Sequence, residues 1–134
     1  MRFGSEAAGF SIGYRGESRC VCVRAWGAWD TATAVYFARA VVDESRPVVR
    51  PFRLLMDVAD LRPPDADGQL SFRTIMVSLK LMGLGEAAVV FGDNAIIKMQ
   101  LVRLGRQNNI DNWTYFSSEG PALERLTPVG DIHA

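Results

Sequence analysis

Histidine occurs once in this chain, at His133, cysteine only at Cys20 and Cys22, and neither sign of charge prevails, with fifteen Lys and Arg against fifteen Asp and Glu. Each scarcity removes a class of function. A zero balance leaves no summed field to draw the chain to a polyanion, so no nucleic acid partner is expected. Two cysteines and one histidine cannot fill a structural zinc site unless carboxylates or another chain help. A Ser–His or Cys–His nucleophile pair would have to recruit His133 from the tail. No metal, no cofactor and no enzymatic activity are therefore expected. Two residues apart on a strand, Cys20 and Cys22 point to the same face with straight backbone between them, poor geometry for a mutual disulfide. They read as small buried strand residues. No apolar run approaches the ~20 residues that cross a bilayer, so no transmembrane segment is expected. Met1-Arg2-Phe3-Gly4-Ser5 lacks the apolar core of an export signal, which makes a cytoplasmic location the expectation.

What is present is enough for one substantial core: 134 residues, of which 49% are hydrophobic. A single domain over residues 1–134 is expected, with an ordered core from about 10 to 126. Phe10–Tyr14 and Arg19–Ala25 read as strands joined by a turn at Gly16-Glu17-Ser18. Asp30 can cap a helix from Thr31 to about Ser45, with Ala34, Phe37, Ala38 and Val41 on one face, and Pro47 ends it. Phe52-Arg53-Leu54-Leu55-Met56-Asp57-Val58 reads as a strand buried on both faces and ended by Pro63-Pro64. Asp65 and Asp67 stand where carboxylates accept the free amides of a first helical turn, and the helical pattern runs from Gln69 to Met82. Gly83 and Gly85 mark a turn before a buried strand at Ala87–Phe91. A helix follows from Asn94 to about Arg106, then a strand at Trp113–Phe116 and a last helical stretch from Pro121 to Leu126. Strands alternating with helices predict an α/β domain whose mixed, largely parallel central sheet of about five strands is covered by about four helices.

The motifs exclude more than they indicate. Asp65-Ala66-Asp67-Gly68 cannot be a calcium loop, because its first ligand would be Pro63 and its twelfth Thr74. Gly83-Leu84-Gly85 precedes a strand where a dinucleotide fingerprint follows one, and no Gly-Lys-Ser/Thr phosphate loop occurs. Helical periodicity says more. At ~100° per residue, Phe72, Ile75, Met76, Leu79 and Met82 form one stripe and Leu70, Val77, Leu81 and Leu84 a second, almost opposite. A helix lying on a sheet needs one apolar stripe, so the second must meet a neighbouring helix, a second chain or an apolar ligand. The helix from Asn94 is doubled in the same way, with Ala95, Met99 and Val102 on one face and Ile97, Leu101 and Leu104 on another. The two helices could cover each other. A homodimer through the Leu70 stripe is the sharper expectation. Trp26 and Trp29, flanking Gly27, could rim an apolar pocket or seal the end of the core. Gly92-Asp93-Asn94 opens a helix whose free amides suit an anion, but Asp93 would repel one, which favours capping.

The order of elements and the segment Asp57–Leu70 resemble the STAS domain of anti-sigma factor antagonists and sulphate transporters. In that family an Asp ending a buried strand is followed by Asp-Ser-Ser-Gly-Leu, whose second Ser is phosphorylated at the start of a helix. Here the corresponding run is Asp65-Ala66-Asp67-Gly68-Gln69-Leu70; the first Asp and the Gly match, and Asp67 stands in place of the phosphorylatable Ser. Val89-Val90-Phe91-Gly92-Asp93 followed by Ile96-Ile97-Lys98 is similar to the SpoIIAA-like branch, mostly small bacterial proteins without the serine. The resemblance implies a binding or regulatory module, not an enzyme; together with the second apolar stripe it makes Asp67, Leu70, Ser71, Val77, Leu81 and Leu84 the expected partner-binding residues. A protein partner or a second copy of the chain is implied, with an apolar or lipid-like small molecule as the alternative. Asp67 carries one permanent charge where a phosphoserine carries about two, so the surface is expected to be locked in one state, Ser71 being the nearby replacement acceptor.

Overall fold

The structure, a computed structural model, describes residues 1–126, and His133 lies outside them. A single six-stranded sheet is built in sequence order: β1 (Arg2–Gly4), β2 (Gly9–Arg15), β3 (Cys20–Gly27), β4 (Phe52–Leu61), β5 (Leu84–Val90) and β6 (Trp113–Phe116). β1–β2 and β2–β3 pair antiparallel, whereas β3–β4, β4–β5 and β5–β6 pair parallel. The sheet is thus mixed and partly antiparallel, with one strand more than the five expected. The extra strand is β1, a short, exposed edge segment outside the expected core, and with no apolar alternation to announce it.

Each parallel pairing is bridged by a helix, as parallel strands require: α1 (Thr31–Ser45), α2 (Ala66–Leu81) and α3 (Ala95–Gln107). All three lie on the same side. Their inward residues Phe37, Val41, Phe72, Ile75, Leu79, Ile97 and Leu101 share one core with Phe10 and Ile12 of β2, Val21, Val23 and Ala25 of β3, Phe52, Leu54, Met56 and Val58 of β4, and Ala87 and Val89 of β5. The alternate positions Cys20, Leu55, Ala88 and Val90 face the other side, beneath Ala122 and Leu126 of the short helix α4 (Glu119–Leu126).

Capping chemistry fixes where the helices begin. The Asp30 carboxylate accepts the Thr33 amide at 2.7 Å, which starts α1, and the Thr33 hydroxyl together with that amide holds the Asp30 carboxyl below the usual carboxylate range. Asp65 accepts the Gly68 amide at 2.9 Å, so α2 starts at Ala66, a turn ahead of the Gln69 start that periodicity indicates. Gly68 is required there: a Cβ on it would lie 2.6 Å from the Pro64 ring.

Two expectations need correction. β4 does not end at Val58; between Arg24↔Asp57 and Trp26↔Asp60 the register shifts, Asp57 accepts the Ala59 amide at 3.0 Å, and the strand continues to Leu61. Leu84 is not on the second stripe of α2. The helix ends at Leu81, Gly83 turns the chain at φ +92°, and Leu84 opens β5 as a buried residue. A 100° rotation per residue has no meaning beyond such a turn.

Leu79 is 0% exposed and Leu81, two residues on, 84% exposed. Leu79→Ala should therefore cost ~2–5 kcal/mol, and Leu81→Ala less than ~0.5 kcal/mol, in urea unfolding of dilute protein. Equal losses would place the inner and outer stripes wrongly.

Candidate functional site

α2 is the middle helix of its layer, and its two flanks differ. Toward α3 the seam is polar: Arg73 Nε donates to Asn108 Oδ1 at 3.0 Å, Lys80 Nζ to the Asn109 carbonyl at 2.9 Å, and Arg103 to Gln69 Oε1 at 2.5 Å. Toward α1 the helices pack closely on Ala38 and Ser71, and above that contact lies an open groove of about 610 Å³. Val35, Ala38, Arg39, Val42, Asp43 and Arg46 form the α1 wall, and Asp67, Leu70, Ser71, Thr74 and Ser78 the α2 wall. Val35 is 50% exposed and Leu70 55% exposed. From Leu70 the stripe continues along the outside of α2 to Val77 and Leu81, both exposed.

Of the residues singled out from the sequence, the structure brings Asp67, Leu70 and Ser71 together on this groove, with Val77 and Leu81 on the adjoining ridge. Asp67 is exposed, in the first turn of α2. Ser71 is buried between the helices, which withdraws its hydroxyl from the surface on which a replacement acceptor would stand. Leu84 belongs to the sheet. α3 does not cover the Leu70 stripe, because it meets α2 through the polar seam and turns Ile97, Leu101 and Leu104 into the core, leaving Ile96 and Met99 exposed.

The tryptophans do not rim a common pocket. Trp29 packs on Phe37 at 4.7 Å and Phe10 at 6.0 Å on the α1 side of the sheet. Trp26 follows the parity of Arg24 on the opposite side, where its Nε1 donates to the Ser5 carbonyl at 2.8 Å and the Arg2 and Arg24 guanidiniums lie over its ring at 4.9 and 5.2 Å. Strand alternation separates them, and the turn at Gly27 (φ +80°) carries Trp29 back over the core. The Gly92-Asp93-Asn94 loop is a clamp. Asn94 Oδ1 accepts the Ile97 amide at 3.4 Å as the cap of α3, while its Nδ2 donates to the carbonyls of Val58 at 3.3 Å and Leu61 at 2.7 Å. Asp93 is exposed beside it.

The sequence reading missed the α1 wall. Val35 and Val42 fall outside the Phe37–Val41 stripe it followed, and only the signal of an apolar residue off that stripe could have found Val35. Among the described residues no three His, Cys, Asp or Glu side chains converge as metal ligands, and no helix is long and apolar enough to cross a membrane. No family model and no curated protein matches the chain.

The Asn94 clamp carries a test. Asn94→Ala should lose ~1–3 kcal/mol of stability through the carbonyls it leaves unpaired. Asn94→Asp keeps a capping oxygen but sets a carboxylate against those same carbonyls, so urea unfolding should find it no more stable than the alanine variant. A stabilised aspartate variant would mean that the cap alone matters.

Proposed function

We propose that this chain is a non-enzymatic interaction module of the STAS-like, SpoIIAA-like kind, working in the cytoplasm and docking through the α1/α2 face onto a second copy of itself. The observation that supports the reading is the exposed apolar run of Leu70, Val77 and Leu81 beside a groove that Val35 and Val42 continue. Full burial is worth ~1.5–3 kcal/mol for each such side chain, a sum comparable with the lower range of what association costs. The charges around the groove balance: Arg46 pairs with Asp43 at 3.3 Å within the chain, which leaves Arg39 and Asp67, one of each sign. A two-fold mate presents the same pair reversed, so Arg39 of one copy can meet Asp67 of the other. A partner rich in one charge would leave half of the rim unmatched.

Asp67 gives this surface its regulatory character. Its carboxylate sits in the first turn of α2, where the helix dipole favours negative charge, and it needs no kinase to supply it. The docking state is therefore constitutive. The alternative, a carrier of an apolar small molecule, draws support from the groove volume, which lies within the range of ligand pockets at ~300–1,000 Å³. Its open side weighs against it, because a carried ligand is normally enclosed.

Native mass spectrometry and sedimentation of the purified chain decide between these readings. An empty dimer is expected. Leu70→Asp or Val77→Asp should convert it to monomer with an unchanged circular dichroism spectrum, since both side chains are exposed. A monomer that retains a small apolar molecule would favour the carrier, and an empty monomer at every concentration would remove the self-docking proposal.

A further inference from the structure

The face of the sheet opposite α1–α3 is covered only in part. α4 packs over β4, β5 and β6, and at its edge the face opens into a cavity of about 310 Å³ walled by Gly13, Arg15, Cys22, Arg24, Asp57 and Glu119. Cys20 and Cys22 share this face. Cys20 lies under α4 with 3% exposure, in the small cluster with Leu55, Ala122 and Leu126, while Cys22 stands partly exposed on the cavity wall. Their sulfurs are 3.8 Å apart, the Cys22 S–H donating to the Cys20 sulfur and the Cys20 S–H to the Val21 carbonyl at 3.7 Å.

Two thiols in contact, one buried and one facing a cavity, do not share their chemistry equally. Both can stay protonated, but the first proton to leave comes from Cys22. Its thiolate can accept the S–H of Cys20, keeps access to water, and lies near the Arg15 guanidinium; burial and Glu119 oppose the change. The balance lowers the Cys22 thiol from its ordinary 9.0 to about 7. Cys20 is driven the other way, because ionising it would forfeit the hydrogen bond it can give the Cys22 sulfur, in a buried setting and beside a charge already there. Of the other charges on the cavity wall, Arg24 is paired with Asp60 at 3.1 Å and Asp57 is engaged by the Ala59 amide.

We propose that Cys22 is a nucleophilic thiol that forms a mixed disulfide with low-molecular-weight disulfides entering this cavity, with Cys20 as the positioning residue whose S–H turns from the Val21 carbonyl to the Cys22 sulfur once that sulfur is a thiolate. The Cys22 thiolate attacks one sulfur of the incoming disulfide; the Cys22 sulfur–sulfur bond forms, the old bond breaks, and its electron pair leaves on the second thiolate, which takes a proton from water. The reaction stops there. An internal disulfide needs the two sulfurs at ~2.05 Å, and both cysteines are held in ladders on each side, Cys20 against Arg15 and Arg53, Cys22 against Gly13 and Leu55.

The lowered Cys22 thiol has a larger thiolate fraction at pH 7 than an ordinary one, and lower intrinsic nucleophilicity returns only part of that gain. Incubation of the reduced protein with oxidised glutathione should add one glutathione per chain, mapped to Cys22 and removed by dithiothreitol. Its rate with an aromatic disulfide should rise through a midpoint near pH 7. Cys22→Ser should abolish the adduct, and Cys20→Ala should slow it several-fold at pH 7 by moving the midpoint toward 9.0. No adduct on the folded chain, equal labelling of Cys20, an internal disulfide in place of the adduct, or an unmoved midpoint in Cys20→Ala would each overturn the proposal. Should Cys20→Ala fail to fold, the site mapping and pH profile of the unaltered protein decide it alone.

Discussion

β4 is the strand on which the other elements depend. It is hydrogen-bonded on both edges, to β3 and β5, and apolar along the whole face toward α1–α3, while the other face sets Leu55 between Arg53 and Asp57. Phe52, Leu54, Met56 and Val58 form the floor under α1–α3, and Leu55 reaches α4 from the other side. A strand with these constraints has little freedom to slip, because a shift of one residue would turn Leu55 and Asp57 into the main core. The bulge after Asp57 relieves the end of the strand. Asp57 engages the Ala59 amide, and Asn94 takes up the Val58 and Leu61 carbonyls. The irregular end of β4 thus becomes the anchor of α3.

Legibility in the sequence follows the same gradient. β4 and the helix caps at Asp30 and Asp65 were readable because each combines a period with a local chemical signal, an apolar run or a carboxylate facing free amides. The Leu70, Val77 and Leu81 ridge was readable for the same reason. What failed depended on tertiary placement. β1 pairs only because the chain folds back onto β2, and its own residues are exposed. Leu84 extended a stripe on paper, but Gly83 ended the helix first. Trp26 and Trp29 are neighbours in sequence and strangers in space, since one lies on a strand face and the other beyond a glycine turn. The α1 wall of the groove could not be found from α2 alone, because a groove belongs to two elements and periodicity describes one.

The exposed surface of α2 is not a sign of general looseness in the helical layer. The flank toward α3 is closed by three side-chain hydrogen bonds, using the cationic and amide residues Arg73, Lys80, Arg103, Gln69 and Asn108. The flank toward α1 packs closely on small residues, with Ala38 and Ser71 both buried, and only above that contact does the groove open. One helix therefore meets one neighbour through polar groups and the other through close apolar packing. Rotation of α2 about its axis is fixed from below, because rolling it would lift Phe72, Ile75, Met76 and Leu79 out of the core. With that face committed to the sheet and the α3 flank occupied by polar groups, Leu70, Val77 and Leu81 are left on the side presented to solvent.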